Sequence, residues 1–132
     1  MQLDSFTILY VEDDMDTQDL IKDILECYFK EVFVASDGEE GLLCYQEERP
    51  DMVLSDISMP KMDGLKMSEK IKEINPNQLI ALFTAFNEPA YLKKAAELGI
   101  DTYIMKPLDE KQFFNSLNFL AMTLETDISR VK

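Results

Sequence analysis

Residues 53–60, VLSDISMP, carry an apolar run suited to a buried strand into a bare carboxylate, Asp56, and then turn at Pro60. A strand that is apolar on both sides, with no alternating polar face, belongs in a parallel sheet covered by helices above and below. The same unit recurs along the chain. β-rich runs at residues 6–11, 31–35, 52–55, 79–83 and 102–105 each precede apolar residues at helical spacing. These are Leu20, Ile21, Ile24, Leu25 and Tyr28; Leu42, Leu43 and Tyr45; Leu65, Ile71 and Ile74; Tyr91, Leu92, Ala95 and Leu98; and a last helix from Asp109 onward. Arg49-Pro50-Asp51, Asn75-Pro76-Asn77 and Leu98-Gly99 stand where helices should stop. Five strand–helix units joined by right-handed crossovers make a doubly wound α/β domain, a five-stranded parallel sheet with five helices.

Composition narrows what such a domain can do. With 26 acidic against 13 basic residues, the formal charge of −13 repels phosphate backbones, so direct nucleic-acid binding is not expected. Histidine is absent, which removes the commonest general base and metal ligand and assigns any phosphohistidine to a partner. The first residues have no basic flank or apolar core of a leader, and no apolar run approaches the roughly 18 residues of a membrane span. A cytoplasmic location and no membrane contact are the expectation. Cys27 and Cys44 fall among helix-patterned apolar positions and read as reduced core residues.

In a doubly wound sheet, ligands sit outside the carboxyl ends of the strands. Glu12-Asp13-Asp14 follow strand one, Asp56 strand three, Thr84-Ala85 strand four and Lys106-Pro107 strand five. An acid between strand and helix is commonly an N-cap, and a threonine at a strand end commonly satisfies its own backbone. The set is harder to explain that way. Two carboxylates ~5 Å apart repel by about 3 kcal/mol at an effective dielectric of about 20, and one lysine offsets only part of that. Hard oxygen ligands with room for water suit Mg2+, whose companion is a phosphoryl group. Asp56 is then the nucleophile, Asp13 and Asp56 with Glu12 close by hold the cation, and Lys106 and the Thr84 hydroxyl meet the remaining phosphoryl oxygens.

ILYVEDD, VLSDISMPKMDG, FTA and YIMKP, in this order and at these intervals, resemble the receiver domain of two-component response regulators. The resemblance covers roughly residues 5–125, which sets a receiver domain at 1–125 and leaves 126–132 as a tail or the start of a helical linker. It implies the flavodoxin-like strand order 2-1-3-4-5 and a switch that accepts a phosphoryl group on Asp56 from the phosphohistidine of a sensor histidine kinase or phosphotransfer protein. It further implies Glu12 and Asp13 as the acidic pair of the Mg2+ site and Ser58 as a backbone-carbonyl ligand. Thr84 becomes the switch hydroxyl, Lys106 the family's lysine, and Tyr103 the aromatic that changes rotamer, with Lys106-Pro107 a cis candidate. Ser58 and Phe86 stand where side chains of this family influence dephosphorylation, and a bulky apolar Phe86 would hinder the attacking water. The family is a signalling domain rather than an enzyme, catalysing only its own phosphoryl transfer and slow dephosphorylation.

The last helix has core candidates at Phe113, Leu117, Leu120, Ala121 and Leu124, with Phe114 and Met122 on a neighbouring face. Leu117, Ala121, Leu124, Ile128 and Val131 form a heptad-like seam that runs past the expected domain end. An extended helix fits a homodimer or a linker to an output domain; a frayed polar tail is the plainer alternative. The resemblance places the output face on helix four, strand five and helix five. Two other functions share parts of the pattern: a Mg2+-dependent aspartyl-phosphate hydrolase, and a receiver-like binding module that takes no phosphate. A flavin or nucleotide carrier is disfavoured by the acidic first loop.

Overall fold

The computed structural model describes the backbone of residues 3–85, 89–100, 102–106 and 110–131, and side chains within 3–83, 90–100, 102–104 and 111–123. Five strands alternate with five helices: β1 Thr7–Val11, α1 Met15–Glu26, β2 Glu31–Ala35, α2 Gly38–Glu48, β3 Met52–Asp56, α3 Gly64–Ile74, β4 Leu79–Ala85, α4 Pro89–Glu97, β5 Thr102–Lys106 and α5 Glu110–Val131. All pairings are parallel, in the order β2-β1-β3-β4-β5. The doubly wound topology expected from the sequence is the one observed.

Strand periodicity sorts the core into two layers. Ile8, Tyr10, Met52, Leu54, Ala81, Phe83 and Ile104 face one way and pack with Ile21 and Leu25 of α1 and Phe113, Leu117, Leu120 and Ala121 of α5. Leu9, Val11, Val53, Ile80 and Leu82 face the other way, against Tyr45 of α2, Leu65, Met67 and Ile71 of α3 and Ala95 of α4. Alternation along a pleated strand has that consequence when both faces are covered. β1 sits between β2 and β3, so the chain leaves it toward opposite edges of the sheet, and the crevice of a doubly wound fold opens at the carboxyl ends of β1 and β3.

Several expectations shift. Strands three to five extend one or two residues further than the apolar runs, because ladder pairs Asp56 with Phe83, Thr84 with Met105 and Ala85 with Lys106. Cys27 is exposed rather than core, since it caps α1 beyond the last buried residue, Leu25; Cys44 is only half-buried. Leu20 and Leu43 also point outward. On α1 the buried stripe runs through Gln18, Ile21 and Leu25, so an amide occupies a place the apolar pattern had not reserved for it. Of the α5 core candidates, Phe113, Leu117, Leu120 and Ala121 are buried, and the Leu124 side chain lies outside the described residues. The α5 backbone is helical through Val131, a length of roughly 33 Å at 1.5 Å per residue.

Candidate functional site

Asp56 ends β3, the central strand, whose residues 52–55 are buried on both sides. Immediately beyond it the chain cannot drift. The Gly64 amide donates to the Ile57 carbonyl at 2.7 Å, and a Cβ on Gly64 would stand 2.1 Å from the Asp56 carbonyl oxygen. Only glycine lets the start of α3 lie this close to β3. The intervening loop is also fixed from the side: a Cβ on Gly38 would lie 2.0 Å from the Met62 carbonyl oxygen, and Lys61, at φ +67°, reaches Asp37 at 3.8 Å. Ser58 lies exposed in this clamped loop.

The three acids after β1 take different jobs. Asp14 is the N-cap of α1 and accepts from the Thr17 amide at 2.9 Å and from the Thr17 hydroxyl. Glu12 and Asp13 are left for the strand ends. Carboxylate oxygens of Glu12, Asp13 and Asp56 lie within 4.8 Å of one another, with Glu12 buried, Asp56 half-buried and Asp13 exposed. Glu12 is held at several points. Its Oε1 accepts from the Tyr10 hydroxyl at 3.1 Å, its Oε2 from the Asp14 amide at 3.2 Å, and its carbonyl from Gln18 Nε2 at 2.9 Å. Gln18 also donates to the Ala35 carbonyl at 3.1 Å, tying the β1–α1 loop to the end of β2. Burial, then the charge of Glu12 and the hydrogen bond to it, then Asp56 and Asp14, push the Tyr10 phenol far above its ordinary range, so it acts as a donor.

Three clustered oxygen acids with one side open to solvent are a donor set that fits Mg2+. The register places Thr84 and Lys106 at the ends of β4 and β5, on the same edge of the sheet as Asp56. Their side chains, Phe86 and the Lys106-Pro107 bond lie outside the described residues. Tyr103 is half-buried; its hydroxyl donates to the Ile100 carbonyl at 2.7 Å, with the Leu92 carbonyl of α4 further off at 3.4 Å.

Tyr10, Gln18, Gly38 and Gly64 also build the site, and the sequence alone assigns none of them a role there. Period two alone puts Tyr10 on the side of Glu12, so that signal was available. Gln18 interrupts the apolar stripe of α1, a weaker signal. The glycines carry no sequence mark beyond their identity, since their need is set by close approach to other backbone segments.

The chain matches the response regulator receiver domain family over residues 8–118. It is 39% identical over 110 residues to a chemotaxis protein CheY of Treponema pallidum, covering 81% of this chain and 76% of that one. A solved CheY-like receiver domain protein from Methanospirillum hungatei superimposes with a TM-score of 0.86 at 29% identity, covering 92% of this chain and 98% of that one. A CheX–CheY complex with BeF3 and Mg2+ from Borrelia burgdorferi gives a TM-score of 0.78 at 30% identity, covering 85% and 86%. Among the described residues, no helix is long and apolar enough to cross a membrane. Sheet order, an acid cluster at the β1/β3 crevice and a family match across most of the length agree: the chain belongs to the receiver domains of two-component response regulators.

Proposed function

We propose that Asp56 is the phosphoacceptor of this signalling domain and that Glu12, Asp13, Asp56 and the Ser58 backbone carbonyl hold Mg2+ beside it. The observation that carries the reading is the meeting of three carboxylates at the crevice, a hard-oxygen donor set that fits Mg2+. An Asp56 carboxylate oxygen attacks phosphorus, an acyl phosphate O–P bond forms, and the donor's P–N bond breaks with its electron pair passing to the imidazole. The donor histidine belongs to a kinase or phosphotransfer protein, because this chain has none. Bound Mg2+ supplies charge neutralisation for the phosphoryl oxygens. Lys106 contributes a point charge, and the Thr84 hydroxyl bonds a further oxygen. Catalysis rests on position and charge, and the domain is a switch rather than an enzyme acting on other substrates.

Thr84 and Tyr103 carry the change to the face formed by α4, β5 and α5, where Tyr91 and Phe119 expose apolar surface. That face meets an output domain, a target protein or a second copy, in the cytoplasm. Residues 1–125 form the receiver unit, and 126–132 are a C-terminal tail or the start of a helical linker. Ser58 and Phe86 set the lifetime of the phosphoryl group. Intact-mass analysis after treatment with a small phosphodonor and Mg2+ tests the core of the reading. One phosphoryl group is expected on the native chain and none on Asp56→Asn. No adduct on the native chain, or an equal adduct on the variant, overturns it and leaves a receiver-like module that binds without phosphate.

A further inference from the structure

We propose that Tyr10 is a positioning residue of the Mg2+ site, presetting Glu12 for the cation; this rests on the reading of that site given above. The geometry around the phenol is built for one task. Tyr10 is fully buried in the middle strands of the sheet, its ring edge-on to Phe83 at 6.2 Å, and Phe83 stacks on Phe113 of α5 at 5.9 Å. The ring therefore has no freedom to follow Glu12; the carboxylate must come to the hydroxyl. With the Tyr10 hydroxyl at 3.1 Å from Oε1 and the Asp14 amide at 3.2 Å from Oε2, both carboxylate oxygens are fixed by donors from opposite sides.

A carboxylate oxygen has capacity for more than one partner, so the Tyr10 and Asp14 donors leave Glu12 able to face a cation or its water. Glu12 is itself only 2 % exposed, and a flexible side chain without the phenol would turn toward solvent and away from Asp13 and Asp56. Donor and ligand thus divide the work: the hydroxyl lowers the repulsion among the three acids before the cation arrives, and it holds the Glu12 rotamer that the cation needs. Outer groups that orient a ligand in this way commonly carry about tenfold or more of a metal site's affinity.

Tyr10→Phe removes the hydroxyl and keeps the ring packed on Phe83. Titration calorimetry of the full chain with Mg2+ alone, before any phosphorylation, should show binding to the variant weakened by about tenfold. The Mg2+ concentration that half-saturates phosphorylation by a small donor should rise by the same factor, with the rate at saturating Mg2+ within about twofold of native. A role confined to fold stability would lower the cation-free melting temperature and leave Mg2+ affinity in place. Unchanged or tighter binding overturns the proposal. In a Glu12→Gln background, Tyr10→Phe should have no further effect on Mg2+ affinity, and a persisting loss there also overturns it. If the native chain takes up no Mg2+, the site reading itself fails; if it does and Tyr10→Phe matches it, the positioning role alone fails.

Discussion

Replacing Gly64 by alanine would drive a methyl group to 2.1 Å from the Asp56 carbonyl oxygen and 3.1 Å from the Asp56 carbonyl carbon and the Ile57 Cα. All three are backbone atoms, so no side chain can swing away, and α3 must back off from β3. Overpacking of this kind costs about 1–3 kcal/mol. Loss of the Gly64 amide bond to Ile57 adds about 1 kcal/mol. Alanine's better helix propensity returns up to about 1 kcal/mol, because Gly64 is the first residue of α3. The net loss is about 1–4 kcal/mol, which lowers the melting temperature by roughly 4–14 °C in a domain of this size. Most of a typical domain's stability survives that, so the variant should fold. Gly41→Ala is the control: its added Cβ would meet the Met67 sulfur at 2.7 Å and a Val11 methyl at 3.0 Å, contacts that side-chain movement can relieve, so its cost should be about 1 kcal/mol. Differential scanning calorimetry measures both, and intact-mass phosphorylation should be slowed in Gly64→Ala alone, since only that methyl displaces the backbone of Asp56, the proposed acceptor. A Gly64→Ala loss no larger than that of Gly41→Ala would refute the reasoning from close approach.

Gln18→Leu keeps the volume but leaves the Glu12 carbonyl without its amide partner, while the Ala35 carbonyl keeps the Glu12 N–H. A shift of the urea midpoint worth about 1–3 kcal/mol at unchanged slope is expected, and no shift would show that the bridge is not structural. Phe86→Glu places an acidic group two residues after Thr84, a position proposed above to tune dephosphorylation; phosphoryl loss should accelerate by about tenfold, equivalent to about 1.4 kcal/mol of barrier, and an unchanged decay of the mass adduct would end that idea. Tyr10 predicts an alkaline limit. Its folded pKa lies above the ordinary 10.0, so its contribution is intact below that pH and is lost as the unfolded phenol ionises above it. Native stability should fall against Tyr10→Phe by about 1 kcal/mol between pH ~10 and ~11, read from denaturation at each pH; parallel curves would contradict the buried donor.

Much of this molecule is legible in its sequence because its two strongest signals are local. Strands apolar on both sides and helices stopped by Pro and Gly fix the α/β alternation, and the alternation fixes which loops share an edge. The strand ends were short because Asp56, Thr84, Ala85 and Lys106 do not resemble strand residues; their place in the ladder comes from neighbours. The cysteines and Leu20 misled for the opposite reason. Apolar spacing marks a helix but leaves the angle of its buried stripe open by a residue or so, and Gln18 claims the position through hydrogen bonds to two carbonyls. The acid cluster was visible as a set, whereas the division of labour within it was not: which of three consecutive acids caps a helix depends on where α1 begins.

The capping role of Asp14 reverses what this fold usually offers a ligand. In many doubly wound sheets the first helix presents bare amides and the positive end of its dipole to a phosphate. Here a carboxylate already occupies the Thr17 amide at that seat. That amide is taken, and with Glu12 and Asp13 beside it the crevice is acidic. On the reading proposed above, the Lys106 charge and a bound cation together make room for a phosphoryl group, so the site is conditional on two arrivals.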